Sequence, residues 1–279
     1  MLWNLKESTV TLDTGRIDYA VFGNGETPFV IIPGLTLRDV RGAGAGLALM
    51  YRLFAKDYRV YVLDKKSDIP EGCTVASLAE DTAEAMSALG IADACVLGVS
   101  LGGMIAQELA IAHPALVKKL VLGVTSSRIN DTMRTVICRW ITLAENRAFG
   151  DIVNDMRTVM YSEKYVKRYG WMFPILAKCA KPGNETRFVR LAKACLTCDT
   201  FGRLDNIVCP TLVIGGREDR IVTGEASLEI AEKLGCGIHM YEELGHSAYE
   251  EAADFNKRIY AFLQNEANGE EQRIEKNIS

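Results

Sequence analysis

A serine set among glycines, Gly98-Val-Ser100-Leu-Gly102-Gly103, is the stretch of this chain best suited to covalent chemistry. A serine hydroxyl is a weak nucleophile at neutral pH and needs a base to take its proton. The chain has three histidines, so the search for that base is short. His113 precedes Pro114 and is expected to close a helix, away from the serine. His239 lies in a short strand-like run, where a structural or surface role is expected. His246 follows Glu243-Leu-Gly245, in a loop between the last strand and the last helix, and a loop there can carry an imidazole over strand ends. An imidazole base needs a carboxylate to fix its tautomer and stabilise its cation. Gly215-Gly-Arg-Glu-Asp219 offers two acids, and the offset from the glycines favours Asp219 over Glu218. The bland alternatives are a glycine-rich turn with a capping serine, an ordinary loop histidine, and turn acids solvated beside Arg217 and Arg220.

Attack by Ser100 on a carbonyl would place negative charge on an oxygen, which calls for two backbone N–H donors. Leu101, directly after the serine, is expected to supply one. Leu35, in the turn Pro33-Gly34-Leu35-Thr36, is expected to supply the other, since Pro33 has no N–H and Gly34 admits close backbone approach. A simple strand-ending turn is the competing reading of that segment.

These residues need strands and helices to hold them. Ser8 to Leu12 and Arg16 to Phe22 read as strands split by a turn at Asp13-Thr14-Gly15. Phe29 to Ile32, Tyr58 to Leu63, Ala94 to Gly98 and Leu120 to Val124 are short apolar runs, the pattern of strands buried on both faces. Helical spacing covers Ala45 to Phe54, Val75 to Leu89 (with Thr74 as cap) and Gly102 to His113. Ser100 therefore sits between a buried strand and a helix, a turn that lifts its hydroxyl out of the sheet. Thr211 to Ile214 and Gly237 to Tyr241 are further strands, and Glu225 to Leu234 and Phe255 to Leu263 further helices. The alternation predicts an α/β fold with a mostly parallel sheet flanked by helices.

Between Ser126 and Arg203 the strands stop and helical periodicity takes over, rich in large side chains. This stretch is expected to form a helical cap (126–203) inserted into a core of residues 1–125 and 204–265, followed by a polar tail, 266–279, that frays. Trp140, Tyr165, Trp171 and Met172 are expected to line a substrate pocket under the cap, although such residues also serve as plain core.

Composition excludes several classes. A net charge of −4 with mixed signs gives no electrostatic case for nucleic acid or an anionic membrane. No apolar run reaches the ~18 residues of a membrane span. Met1 to Val10 carries Lys6 and Glu7 and lacks an apolar signal core, so a cytoplasmic protein is expected. The eight scattered cysteines are then expected as reduced thiols. Cys195 and Cys198 form a C-x-x-C, either a redox or metal pair or two small apolar residues near a helix face.

The set Pro33-Gly34, Gly98-Val-Ser100-Leu-Gly102-Gly103, Asp219 and Gly245-His246, in that chain order, resembles the α/β-hydrolase superfamily from about Arg16 to Leu263. The resemblance implies a sheet of about eight strands, a cap after the sixth, and neither cofactor nor metal. It looks most like the small capped hydrolases: esterases, lipases, C–C bond hydrolases and cofactor-free haloperoxidases. Two positions depart from the common pattern. Pro33-Gly34 replaces His-Gly, and Asp64-Lys-Lys-Ser67 replaces Asp-x-Arg-Gly after the fourth strand. The expected reaction is hydrolysis of a small to medium, largely apolar ester through an acyl-enzyme on Ser100. C–C, thioester or amide cleavage by the same triad is an alternative, as is a non-catalytic ligand-binding protein on the same scaffold.

Overall fold

The computed structural model describes residues 2–179 and 184–265, apart from the side chains of Leu176 and Cys179. The expected tail, 266–279, lies outside the described residues.

Eight strands form one sheet in the order β1-β2-β4-β3-β5-β6-β7-β8. They are β1 (Lys6–Leu12), β2 (Gly15–Phe22), β3 (Thr27–Ile32), β4 (Tyr58–Leu63), β5 (Ala94–Val99), β6 (Val117–Gly123), β7 (Thr211–Gly216) and β8 (Gly237–Tyr241). β1 and β2 pair antiparallel, as do β2 and β4; every other pairing is parallel.

The helices are α1 (Gly44–Met50), α2 (Val75–Ala88), α3 (Leu101–Ala112), α4 (Asp131–Glu145), α5 (Phe149–Met160), α6 (Glu163–Tyr169), α7 (Phe173–Cys179), α8 (Glu185–Cys195), α9 (Gly224–Leu234), α10 (Ala248–Glu251) and α11 (Phe255–Gln264). The expected helix from Ala45 to Phe54 divides into α1 and a 3₁₀ turn, Arg52–Phe54. Thr74 caps α2: its hydroxyl accepts from the Ser77 N–H, and the Ser77 hydroxyl accepts in return from the Thr74 N–H.

Strand alternation distributes the core over two faces. Val30 and Ile32 belong to the core on the face that carries α2, α3 and α9, while Phe29 and Ile31 belong to the core on the face that carries α1 and α11. All four are at most 1% exposed, which is why β3 reads as an unbroken apolar run.

β3 and β5 are neighbours whose outgoing connections diverge, β3 leading to β4 on one side and β5 to β6 on the other. A crevice opens at such a switch point, beyond the carboxyl ends of the strands. The turns after β3, β4, β5, β7 and β8 all emerge at this edge. Between β6 and β7 the chain leaves the sheet for α4 to α8. Its outgoing and returning segments meet in an antiparallel bridge between Arg128 and Asp199. Beside that bridge, Gln107 on α3 donates to the Ser126 carbonyl and accepts from the Thr200 hydroxyl.

Candidate active site

Ser100 stands at the N-cap of α3 with φ 53° and ψ −119°. A left-handed backbone costs a non-glycine residue of order 1–3 kcal/mol, and the surroundings must hold it there. Its N–H donates to the Gly123 carbonyl (2.9 Å), and its carbonyl accepts from the Thr125 hydroxyl (2.7 Å). The two glycines of the motif permit the sharp strand-to-helix turn. A Cβ on Gly98 would lie 2.6 Å from the Gly103 Cα, and one on Gly102 would overlap the Ile32 carbonyl.

His246 is brought to the serine by the loop after β8. Its Nε2 lies 2.9 Å from the Ser100 Oγ and its Nδ1 lies 2.8 Å from the Asp219 Oδ2. A carboxylate oxygen can only accept, so Nδ1 carries the proton and Nε2 offers its lone pair to the serine hydroxyl. The loop is stitched to its neighbours on two sides. The Glu218 N–H donates to the Leu244 carbonyl (3.0 Å), and the Ser247 N–H donates to the Met160 carbonyl at the end of α5 (2.9 Å).

Of the two adjacent acids, Asp219 is the one that meets the imidazole. Its Oδ1 accepts from the N–H groups of Ile221 (2.8 Å) and Val222 (3.0 Å), leaving Oδ2 for the imidazole. Asp219 and His246 are 6% and 3% exposed, whereas Glu218 is exposed. The other two histidines stand elsewhere: His113 ends α3 beside Glu80 (3.0 Å), and His239 packs edge-on against Tyr241 on β8.

The Pro33-Gly34 turn lies against the serine, so that a Cβ on Gly34 would be 3.2 Å from the Ser100 Cβ. Among the described residues, neither the Leu35 nor the Leu101 N–H has a protein acceptor. Leu101 starts α3, where the helix dipole also favours negative charge.

A small cavity of about 40 Å³ touches Ser100 and His246. It is walled by Met104, Met133, Ile137, Trp140 and Cys195, and it shares Leu35, Thr36, Met156, Met160 and Tyr249 with an outer chamber of about 290 Å³. Arg38 and Glu250 lie in the outer chamber, the Glu250 carboxylate accepting from the Tyr161 hydroxyl (2.6 Å). Burial, the largest influence, raises the Glu250 pKa above the usual carboxylate range.

Trp140 is the one expected pocket residue found on these walls. Tyr165 stacks instead on Tyr161 and Tyr169, Trp171 is 69% exposed, and Met172 ends a short 3₁₀ turn. Helical periodicity locates large residues without saying which face meets the site. Met156 and Met160, four apart on α5, line both chambers, and that spacing was the available signal for them. The C-x-x-C thiols are buried, Cys195 donating to the Leu191 carbonyl and Cys198 to that of Ser126. Burial pushes both thiols up, Cys195 to about 12. Among the described residues no group of three or more His, Cys, Asp or Glu is arranged to hold a metal ion, and no helix is long and apolar enough to cross a membrane.

Residues 27–253 match the family model described as alpha/beta hydrolase fold. A protein of Mycobacterium phage D29 bearing the name non-heme haloperoxidase is 29% identical over 248 residues, 84% of this chain and 87% of that protein. The 2-hydroxymuconate semialdehyde hydrolase of Pseudomonas putida is 30% identical over 190 residues, 64% of this chain and 65% of its own. Among solved structures, the enol-lactonase from Burkholderia xenovorans LB400 superposes with a TM-score of 0.80 at 21% identity, covering 92% of this chain and 100% of that one.

Proposed function

The chain belongs to the α/β-hydrolase family, and from that membership we propose that it is a serine hydrolase cleaving small, largely apolar esters. The observation that carries this reading is the hydrogen-bonded line Ser100–His246–Asp219, whose two links are 2.9 and 2.8 Å.

In the proposed reaction His246 Nε2 takes the Ser100 proton as Oγ attacks the ester carbonyl. Asp219 stabilises the imidazolium that forms. The Leu35 and Leu101 N–H groups receive the oxyanion, an arrangement worth about 2.7–4 kcal/mol per donor in comparable sites. His246 then passes its proton to the leaving alcohol and activates the water that hydrolyses the acyl-enzyme. Helices α4 to α8 act as a cap: Trp140 and the α5 methionines shield the acyl group from water. The inner cavity suits a short acyl chain, and the outer chamber the leaving group.

The test is turnover of p-nitrophenyl acetate together with labelling by a fluorophosphonate. Ser100→Ala is expected to lose both, while the wild type reacts at Ser100. Undiminished turnover by Ser100→Ala would sink the proposal. A wild type that binds esters without labelling would favour a ligand-binding role. The 2-hydroxymuconate semialdehyde hydrolase among the relatives supports a second reading, C–C bond cleavage by the same triad. A β-diketone hydrolysed faster than any ester would favour it.

A further inference from the structure

A buried cation at the switch point has no place in the reaction just described. Lys65 follows β4, within the segment Asp64-Lys-Lys-Ser67, and is 6% exposed. Among the described residues its ammonium has no carboxylate partner. The neighbouring Asp64 is already occupied: Oδ1 accepts from Arg187 (2.7 Å) and the Lys65 N–H (2.8 Å), and Oδ2 from the Val40 N–H (2.8 Å). Lys65 Nζ instead donates to two main-chain carbonyls, those of Pro33 and Gly34, the latter at 2.8 Å. These carbonyls belong to the turn that lies against Ser100.

The Gly34 carbonyl and the Leu35 N–H are the two ends of one peptide unit. A cation on the carbonyl oxygen draws electron density along the amide and makes the N–H a better donor. The Leu35 N–H is one of the two donors expected to meet the oxyanion.

We propose that Lys65 is a positioning residue for the oxyanion site, holding the Pro33-Gly34 turn against Ser100 and polarising the Gly34–Leu35 peptide through its ammonium. This rests on the serine-hydrolase reading. The charged and titratable groups facing Lys65 are Asp64 beside it and Arg187 and Cys195 on α8; the β3 turn presents carbonyls. Burial lowers its pKa from 10.5 to about 8, Asp64 opposing this and Arg187 adding to it. The sign follows directly: the ammonium is present below about pH 8 and lost above it. The neutral amine still donates hydrogen bonds but polarises the peptide less, so kcat falls on the alkaline side.

The experiment measures kcat and KM for p-nitrophenyl acetate across pH 6–10, normalised to sites titrated by a fluorophosphonate. It compares the wild type with Lys65→Gln, Lys65→Met and Lys65→Arg. The wild type is expected to lose several-fold in kcat through the alkaline range. Lys65→Gln and Lys65→Met are expected to lose roughly ten- to a hundredfold in kcat per titrated site at pH 7, with KM little changed and the alkaline limb gone. Lys65→Arg, charged throughout the range, is expected to recover part of kcat and flatten the limb. Wild-type kcat per site with an intact limb in the Gln and Met variants overturns the proposal, even if fewer molecules fold, because that marks a merely structural lysine. If the wild type neither labels at Ser100 nor turns over ester, the serine-hydrolase reading falls and this proposal with it. If it does both and the Lys65 variants match it, the proposal falls alone.

Discussion

At the scale of single residues, the site depends on which atom of each side chain is already committed. Asp219 uses Oδ1 for two backbone N–H groups, so only Oδ2 faces His246. In Asp219→Asn the amide oxygen would take over those two N–H groups, leaving an NH₂ to face Nδ1. That donor forces Nδ1 to accept and places the imidazole proton on Nε2, where it blocks proton transfer from Ser100. We expect kcat to fall by about 10³–10⁴ with the fold intact, while Glu218→Gln stays within about twofold; steady-state kinetics on the two variants checks this. The residue types and chain order of Ser100, Asp219 and His246 were readable because nucleophilic chemistry needs those groups and histidines are scarce. Lys65 was not readable. A lysine pair after a strand looks like a solvated turn, and it is buried here because α8, some 120 residues later, covers it through Arg187.

At the scale of elements, that same arginine fastens the inserted helices to the sheet. Arg187 projects from α8 and donates to the Lys66 carbonyl (2.8 Å), the Lys65 carbonyl (2.9 Å), Asp64 (2.7 Å) and Asp39 (2.8 Å). It is 6% exposed, as is Asp64. Arg187→Met removes the cation and leaves Asp64 and two carbonyls buried without it. Breaking such a pair costs about 3–5 kcal/mol, and urea unfolding is the measurement, with a lower midpoint expected at an unchanged slope. The strands of the sheet were legible element by element: β3, β5 and β6 are apolar on both faces and read as unbroken runs. The fastening was not, because it joins the end of β4 to a helix with no sequence periodicity in common, and the departure from the familiar Asp-x-Arg-Gly pattern gave only its location.

At the scale of the whole molecule, the sheet edge and the helical insertion enclose two unequal spaces, and in the proposed reaction their inequality sets the specificity. The inner cavity of about 40 Å³ holds the volume of about three water-sized groups, enough for an acetyl or propionyl chain beside Ser100. The outer chamber of about 290 Å³ accepts a larger group. Trp140 lines the inner cavity: it is 3% exposed, and its indole N–H is fixed by Asp155 (2.6 Å), which also takes Arg139 (2.8 Å). Its place in a helical stretch was visible in the sequence; its place on the cavity wall depends on how α4 packs against α5 and α8, which no local pattern encodes. Trp140→Ala removes the indole and opens the cavity along the acyl direction. The core loss costs about 3–5 kcal/mol of stability, so the melting temperature drops. Specificity moves the other way. A pocket discriminates by about 10–200-fold per misfit methylene, so the wild type should favour p-nitrophenyl acetate over the octanoate by a hundredfold or more in kcat/KM, and Trp140→Ala should narrow that ratio by at least tenfold. Lengthening the alcohol instead of the acyl chain should leave the wild-type and Trp140→Ala rates parallel, since the proposed reaction puts that group in the outer chamber. An octanoate preferred by the wild type would reverse the assignment of the two chambers, placing the acyl chain among Met156, Met160 and Phe173 and the leaving group against Trp140.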